Sequence, residues 1–354
     1  LIIAILLLLA NVILANSFIM EKPLSSNETE FHTFSVLISA KNEEENIPIL
    51  IKSLQSLDYP EEYFEIIIVD DNSSDKTNEL LRKFKKSTSN LTVIKSGNKT
   101  LPGKKGALQK ALPLCRSEFI ASTDADCVIP PNWLRGLNSK INEGADIVIG
   151  NVLFTGGDKF PKKFFSFEQM RNRFLSFALA NIGFPYTASG GNFCFKKEII
   201  DKLNGYVEIS DTLSGDDDLL LQKGVSAGFA QSVSDEKETR VLTKPPDNFK
   251  QFFKQKQRHA SASNYYSLKA KLILGFWHLI NLTAILGLFL SPFFRFAFAL
   301  FIVKITCDSI AISYAATKYE KSFNIFEIVF YQLLYELLIP VHYLRATFGS
   351  VKWK

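Results

Sequence analysis

Between Phe34 and Phe154 the chain alternates short apolar runs with stretches of helical spacing, and this alternation restricts the fold more than any other feature. FSVLISA (34–40) reads as a buried strand. Residues 43–57 then place Ile47, Leu50, Ile51, Leu54 and Leu57 at helical spacing. EIIIVDD (65–71) is a second strand, and SSDKTNELLRKFKKS opens on Ser/Asp capping residues and continues as a helix. LTVIKS (91–96), EFIASTDAD (118–126) and ADIVIGNVLF (145–154) add strands, with a helix around 104–114 between the first two. Strands separated by helices pair in parallel, so the expected fold is α/β, a mostly parallel sheet covered on both faces. Ligands of such sheets sit beyond the carboxyl ends of the strands. The acidic pairs Asp70/Asp71 and Asp124/Asp126 fall at those ends.

The following hundred residues are less regular: a helix near 162–182, a Gly-rich turn at 189–192 and an acidic cluster at 216–218. Apolar residues are 47% of the chain and Phe alone numbers 31, with the excess gathered at the two ends. Residues 1–20 have the length of a membrane-spanning helix, about 20 residues. A cleaved signal peptide is the rival, but its apolar core is usually shorter and ends in a small-residue site. The segments 272–291, 293–316 and 325–344 are each long enough to span as well. The last is interrupted by Glu327, Glu336 and Pro340, which leaves open whether it crosses the membrane or lies at its interface. Lys304 and Asp308 stand four apart and share one helical face, so an intramembrane ion pair is expected there. The domain reading is an N-terminal anchor (1–20), a linker (21–33), a catalytic domain (34–260), a juxtamembrane segment (261–271), two to three spans (272–344) and a basic tail (345–354).

The net charge of +5, from 41 basic and 36 acidic residues, suits a protein beside an anionic lipid surface. It lacks the basic stripe with interleaved aromatics that nucleic-acid binding requires. Cys115, Cys127, Cys194 and Cys307 have no metal-ligand spacing and are expected as reduced, buried thiols.

Asp124-Ala125-Asp126 is a D-x-D at the end of an apolar strand. Carboxylate oxygens suit hard cations such as Mg²⁺ or Mn²⁺, and a metal held there can bridge a diphosphate and neutralise a leaving group. Two aspartates at a strand end are also common in turns, so the motif alone is weak. The acidic run Asp216-Asp217-Asp218 can supply a carboxylate base for a hydroxyl nucleophile, or can simply favour a helix N-terminus.

The ordered segments VLISAKNEEENI, IIIVDDNSSD, STDADCVIP, TASGGNFCF, SGDDDLLLQKG and KQKQRH resemble the family 2 glycosyltransferases of the GT-A fold. That group includes cellulose, chitin and hyaluronan synthases and many bacterial polysaccharide enzymes. The resemblance covers residues 34–260. It implies that Ser39, Lys41, Asp70, Asp71, Lys105 and Asp124 serve the nucleotide-sugar donor, and that Asp124 and Asp126 hold the metal. It further implies that Gly190, Gly191, Asn192, Gln255, Arg258 and His259 lie on the acceptor side. In the family the catalytic Asp precedes an Ala-Gly-aromatic turn by ten to twelve residues; Ala227, Gly228 and Phe229 stand at those offsets from Asp217, with Asp216 as its acidic neighbour. Two positions depart from the pattern. Lys41 replaces an aromatic that packs on the base, and His259 replaces the Trp of Q-x-x-R-W, which weakens any inference of processive polymer synthesis.

The implied activity is inverting transfer of a sugar, UDP-linked on family grounds, to a lipid-linked or polysaccharide hydroxyl. The implied partners are a nucleotide-sugar donor, a lipid or glycan acceptor, membrane lipids and, further, assembly partners in the membrane. The expected location is the plasma (inner) membrane, multi-pass, with the catalytic domain cytoplasmic and the basic stretch 250–271 preceding the membrane. A nucleotidyltransferase would carry a Gly-rich loop after the first strand, whereas SAKNEEEN (39–46) contains no glycine. An inactive scaffold of the same fold would be expected to lose its acids, and both pairs are kept.

Overall fold

The computed structural model describes residues 2–19 and 30–349. In chain order these form α1 (Ile2–Ile19), β1 (Phe34–Ala40), α2 (Ile47–Gln55), β2 (Phe64–Asp70), α3 (Thr77–Lys85), β3 (Leu91–Lys95) and α4 (Gly103–Ala111). There follow β4 (Phe119–Asp124), β5 (Cys127–Val128), α5 (Trp133–Asn142), β6 (Ile147–Gly150), β7 (Val152–Phe154), α6 (Lys162–Asn181), β8 (Phe193–Lys196) and α7 (Lys197–Lys202). The last are α8 (Asp218–Ser226), β9 (Gln231–Ser234), β10 (Val241–Thr243), α9 (Phe249–Ala262), α10 (Leu268–Leu290), α11 (Arg295–Lys318) and α12 (Ile325–Phe348).

These elements divide into two compact units. The first holds residues 30–156 and 185–245, and is built on a seven-stranded sheet of order β3-β2-β1-β4-β8-β6-β9. Every pairing is parallel except those of β8, which runs antiparallel to β4 and β6. The α/β fold with a mostly parallel sheet is therefore the one expected. β1 is buried along almost its whole length because both of its faces carry apolar residues, as a central parallel strand requires. Its register pairs Ala40 with Asp70 and Ser39 with Asp124, which brings two carboxylate-bearing strand ends to one edge of the sheet.

The helices close the sheet by amphipathic spacing. In α2, Ile47, Leu50, Ile51 and Leu54 are buried on one stripe, and Pro48 occupies the first turn, where its missing N–H costs no hydrogen bond. In α3, Glu79 lies in the first turn and Arg82, Lys83 and Lys85 in the last, each sign at the favourable end of the helix dipole. The apolar run 145–154 does not form one strand. It divides at Asn151 into β6 of the large sheet and β7 of a small sheet of order β5-β10-β7. The buried side chain of Asn192 donates to the Asn151 carbonyl at 2.9 Å, and a Cβ at Gly150 would fall 2.1 Å from Asn192. Glycine at 150 is what lets that amide fill the break.

The second unit holds residues 2–19, 157–184 and 246–349. The segments 157–184 and 246–260, expected inside the catalytic domain, group instead with the apolar helices. The cause lies in α6, which buries Phe164, Phe165, Phe167, Phe174 and Phe177. Phe165 stacks on Phe252 of α9 at 4.3 Å, and Phe174 meets Phe18 of α1 at 4.9 Å. The helices α10, α11 and α12 are long and apolar enough to cross a membrane; α1 is apolar but shorter. Glu327 does not interrupt the apolar part of α12. It forms a capping box with Asn324 at the N-terminus of that helix and pairs with Lys163 at 2.7 Å. Lys304 and Asp308 meet at 2.6 Å, as their spacing predicts. The linker residues 21–29 and the tail residues 350–354 fall outside the described residues.

Candidate active site

Two carboxylates from distant parts of the chain share one lysine. Lys104, in the first turn of α4, places Nζ 2.7 Å from Asp124 Oδ1 at the end of β4 and 3.0 Å from Asp216 Oδ2 in the loop before α8. It is nearly buried, and these two anions hold its ammonium well above the usual lysine range despite the cost of burial. Gly190 lies against this ammonium: a Cβ there would fall 2.8 Å from Lys104 Nζ and 3.5 Å from carboxylate oxygens of both Asp216 and Asp217. The D-x-D strand end, the Gly-rich turn and the acidic cluster, far apart in sequence, thus converge.

Gly215, with φ +80°, turns the chain into the cluster, a conformation that glycine adopts without strain. Asp217 is the N-cap of α8, where Oδ1 accepts from the Asp218 amide at 2.8 Å and Oδ2 accepts from the Gly190 amide. Asp218 is committed elsewhere: its Oδ1 accepts from the Thr187 hydroxyl at 2.7 Å and from the Ala188 amide at 2.8 Å. Asp217 keeps a partial opening to the surface. Burial, helped by the neighbouring charges of Asp218 and Asp216, pushes its carboxyl up to about 8; Lys104 and the Asp218 amide oppose that rise.

Asp124, Asp126 and Cys127 form a group whose ligand atoms lie within 4.8 Å of one another. Asp126 is exposed and Asp124 part-exposed, so two hard carboxylates can be reached from outside, while Cys127 is a buried thiol that burial pushes upward. This donor set fits a hard divalent cation through its two aspartates.

Gly191 completes the turn against this group. A Cβ there would fall 3.2 Å from Cys127 Sγ and 3.4 Å from Asp124 Oδ2. The turn is fixed from the strand side, where Thr123 and Ser122 donate to the Gly191 and Gly190 carbonyls at 2.9 and 3.2 Å. Asn192 is buried and holds the frame, accepting from Trp133 Nε1 at 2.8 Å.

The remaining residues singled out from the sequence have different surroundings. Asp70 and Asp71 are buried at the end of β2 with protein partners. Asp70 accepts from the Ser73 amide at 3.0 Å and Asn78 at 2.8 Å; Asp71 accepts from Lys99 at 2.7 Å and Ser96 at 2.9 Å. Ser39 and Lys41 flank the end of β1 and are part-exposed. Lys105 is fully buried, donating to the backbone carbonyls of Ile209 and, at 3.0 Å, of Thr212. Lys104, which the sequence did not single out, is the lysine on the carboxylates. Adjacent helical residues point about 100° apart, so a KK pair alone does not show which one faces the site. Gln255, Arg258 and His259 lie on α9, within the unit of apolar helices.

Residues 35–203 match the family described as Glycosyl transferase family 2. The match ends before the acidic cluster. Beta-monoglucosyldiacylglycerol synthase of Trichormus variabilis is 42% identical over 100 residues, 28% of this chain and 21% of the relative. The chain thus spans about a fifth of the length of that relative. The probable glycosyltransferase YdaM of Bacillus subtilis is 27% identical over 311 residues, 80% of this chain and 69% of the relative. Among solved structures, a mannosyltransferase from Pyrobaculum calidifontis, in complex with GDP-Man and Mn2+, superposes with a TM-score of 0.58 at 16% identity, covering 98% of this chain and 99% of that one. At that identity the likeness establishes the shared GT-A fold.

Proposed function

Since residues 35–203 are a family 2 glycosyltransferase domain, we propose that this chain transfers a sugar from a nucleoside-diphosphate donor to a hydroxyl acceptor at a membrane, with inversion at the anomeric carbon. The convergence of Asp124, Lys104, Asp216 and Asp217 carries this reading. Asp124 and Asp126 would hold Mg²⁺ or Mn²⁺, which when bound would offset the charge of a diphosphate leaving group. Lys104 adds a fixed positive charge on the same side, already neutralised by two carboxylates and thus restrained in position. Asp217 would take the proton of the acceptor hydroxyl. Its amide donors aim the carboxylate, and its raised range makes it a stronger base than an ordinary carboxylate once it is ionised. Gly190 and Gly191 let the turn pass directly against Lys104 and Asp124, which holds the acceptor side of the site to the donor side.

The donor is proposed to be UDP-linked. Lys41, rather than an aromatic, would then lie beside the base, with Asp70 and Asp71 shaping the loop that receives it. The acceptor is proposed to be a lipid-linked or polysaccharide hydroxyl. The glycolipid product in the name of the Trichormus relative and the three apolar helices support a lipid-side acceptor. Lys250, Lys254, Lys256, Arg258, Lys269 and Lys271, which precede or open α10, support a cytoplasmic catalytic unit in a plasma-membrane protein.

The test is release of nucleoside diphosphate by the purified full chain from a panel of nucleotide sugars, with Mn²⁺ or with chelator, on diacylglycerol and oligosaccharide acceptors. Metal-dependent turnover that Asp217→Asn abolishes while donor binding persists is the expected result. Normal turnover in that variant would refute the assigned base. No turnover on any donor would refute the transferase reading.

A further inference from the structure

Of the three helices long and apolar enough to cross a membrane, α10 and α11 form a hairpin. Asn281 of α10 meets Lys304 of α11 at 2.7 Å, and a Cβ at Gly287 would strike the Ala297 carbonyl, so the two run antiparallel from the turn at 291–294. The start of α10 and the end of α11 are therefore the same end of the hairpin, remote from that turn.

Both ends of α12 are held at that end. Its first turn follows α11 through residues 319–324, and Glu327 pairs there with Lys163 of α6 at 2.7 Å. Its last turns lie on α9. His342 meets Phe252 and Phe253 at 5.6 and 5.5 Å, the Arg345 guanidinium lies 5.3 Å from the Phe253 ring, and a Cβ at Gly349 would strike the Gln257 side chain. α9 in turn leads through residues 263–267 into the start of α10. A helix of 24 residues is about 36 Å long, so a spanning α12 would carry its last turns towards the 291–294 turn instead.

The helices beside α12 are charged. α6 keeps pace with its first half: Glu327 with Lys163, Tyr331 with Phe167 at 5.4 Å and Tyr335 with Asn172 at 2.8 Å. α6 carries Lys162, Glu168 and Arg173, and α9 carries Lys250, Lys254 and Arg258. Were α12 to cross a bilayer, these side chains would be drawn into hydrocarbon beside it, where charge is expensive. The outer face of α12 is of the other kind. Phe326, Phe330, Leu337, Val341, Leu344 and Phe348 recur at helical spacing and are all exposed, while Ile328, Tyr331 and Tyr335 opposite them are buried.

We propose that α12 is an interfacial helix and not a third span. It lies in the plane of one leaflet, its Phe326-to-Phe348 face among the acyl chains and the exposed Lys250 and Lys254 of α9 at the phosphates of anionic lipids. The chain then crosses in α10, returns in α11 and stays on that side. Lys352 and Lys354 join Arg345 and the basic stretch 250–271 there, as the bias of positive charge to one side of a membrane requires. The proposal rests on α10 and α11 entering a membrane and not on the chemistry of Asp217.

The experiment uses the full chain with Cys307→Ser, reconstituted in vesicles of phosphatidylcholine and phosphatidylglycerol; Cys115, Cys127 and Cys194 are buried from the labelling reagent. A nitroxide is attached in turn at Phe326→Cys, Leu337→Cys and Phe348→Cys, all outward-facing, and its depth is read from collisions with oxygen and with a water-soluble nickel chelate. All three labels are expected in the acyl region, at depths that agree within about 8 Å, whereas a span would advance about 16 Å from Phe326 to Leu337. Depths that differ by more than this limit, or labels that meet only the nickel chelate, would overturn the proposal. A second measurement needs no substitution. In sealed membrane vesicles, the orientation that lets an antibody reach the catalytic unit is expected to let it reach an epitope added at the C-terminus. Exposure of that epitope only in the opposite orientation would overturn the proposal equally, and neither readout depends on turnover.

Discussion

Lys104 and Asp216 meet at 3.0 Å, joining the first turn of α4 to the loop that opens α8, and the same ammonium reaches Asp124 at 2.7 Å. A single cation therefore fixes the distance between the D-x-D strand end and the acidic cluster. Lys104→Met leaves both carboxylates without their partner. The expected loss of stability is about 1–3 kcal/mol, less than for a fully buried pair because Asp124 is part-exposed. Turnover is expected to fall further than stability, by at least about 100-fold. Thermal unfolding and steady-state kinetics on the same preparation check this.

Lys105 next to it should behave differently. Its Nζ serves the Ile209 and Thr212 carbonyls and is far from free to meet a donor. Lys105→Met is expected to destabilise by about 1–3 kcal/mol by orphaning buried acceptors, with KM for the donor unchanged in the folded fraction. A changed KM at parental stability would show the reverse.

Gly190→Ala tests the close approach directly. The new methyl would lie 2.8 Å from Lys104 Nζ, so the ammonium must shift away from Asp124 and Asp216. Turnover is expected to fall about tenfold or more, with a stability loss no larger than that of Lys104→Met, about 1–3 kcal/mol, since the same two ion pairs are weakened but not removed. Kinetics beside a melting curve separate the two effects.

The raised range of Asp217 gives a pH signature. Below about 8 the carboxyl is largely protonated and cannot accept the acceptor proton, so kcat should rise with pH and level off above about 8. For stability the sign is opposite. A carboxyl raised in the folded state contributes fully below its unfolded range near 3.8, and loses that contribution as pH rises through about 8. The parent's turnover profile checks the first, and Asp217→Asn should flatten the stability profile, measured by chemical denaturation across pH 5–9.

If Asp124 and Asp126 hold the cation, Asp126→Asn should raise the Mn²⁺ concentration needed for half-maximal turnover by about tenfold or more. Electron paramagnetic resonance of bound Mn²⁺ gives the same comparison without turnover. Asp126 is the better probe because it is exposed, so its loss should cost the fold little.

Much of this was written locally. The alternation of apolar runs from Phe34 onward fixed the parallel strands, and strand ends delivered Asp70 and Asp124 to one edge because β1 pairs Ala40 with one and Ser39 with the other. The spacing of Lys304 and Asp308 was enough to predict their pairing, since both lie on one helix. Other features do not follow from local spacing. Lys104, beside Lys105, meets the carboxylates, and α6 of the 157–184 segment buries its phenylalanines among the apolar helices.

Periodicity and residue type act within one element, so the sequence by itself determined the α/β sheet, the carboxylates at its edge and the apolar helices. Only the tertiary structure decided which lysine those carboxylates share, that Asn192 supports the break after Gly150, and that Glu336 and Asn281 join the Lys304 pair. Each of those choices is made by the desolvation of a polar group, which depends on what other elements bring within a few ångströms and leaves no trace in local spacing.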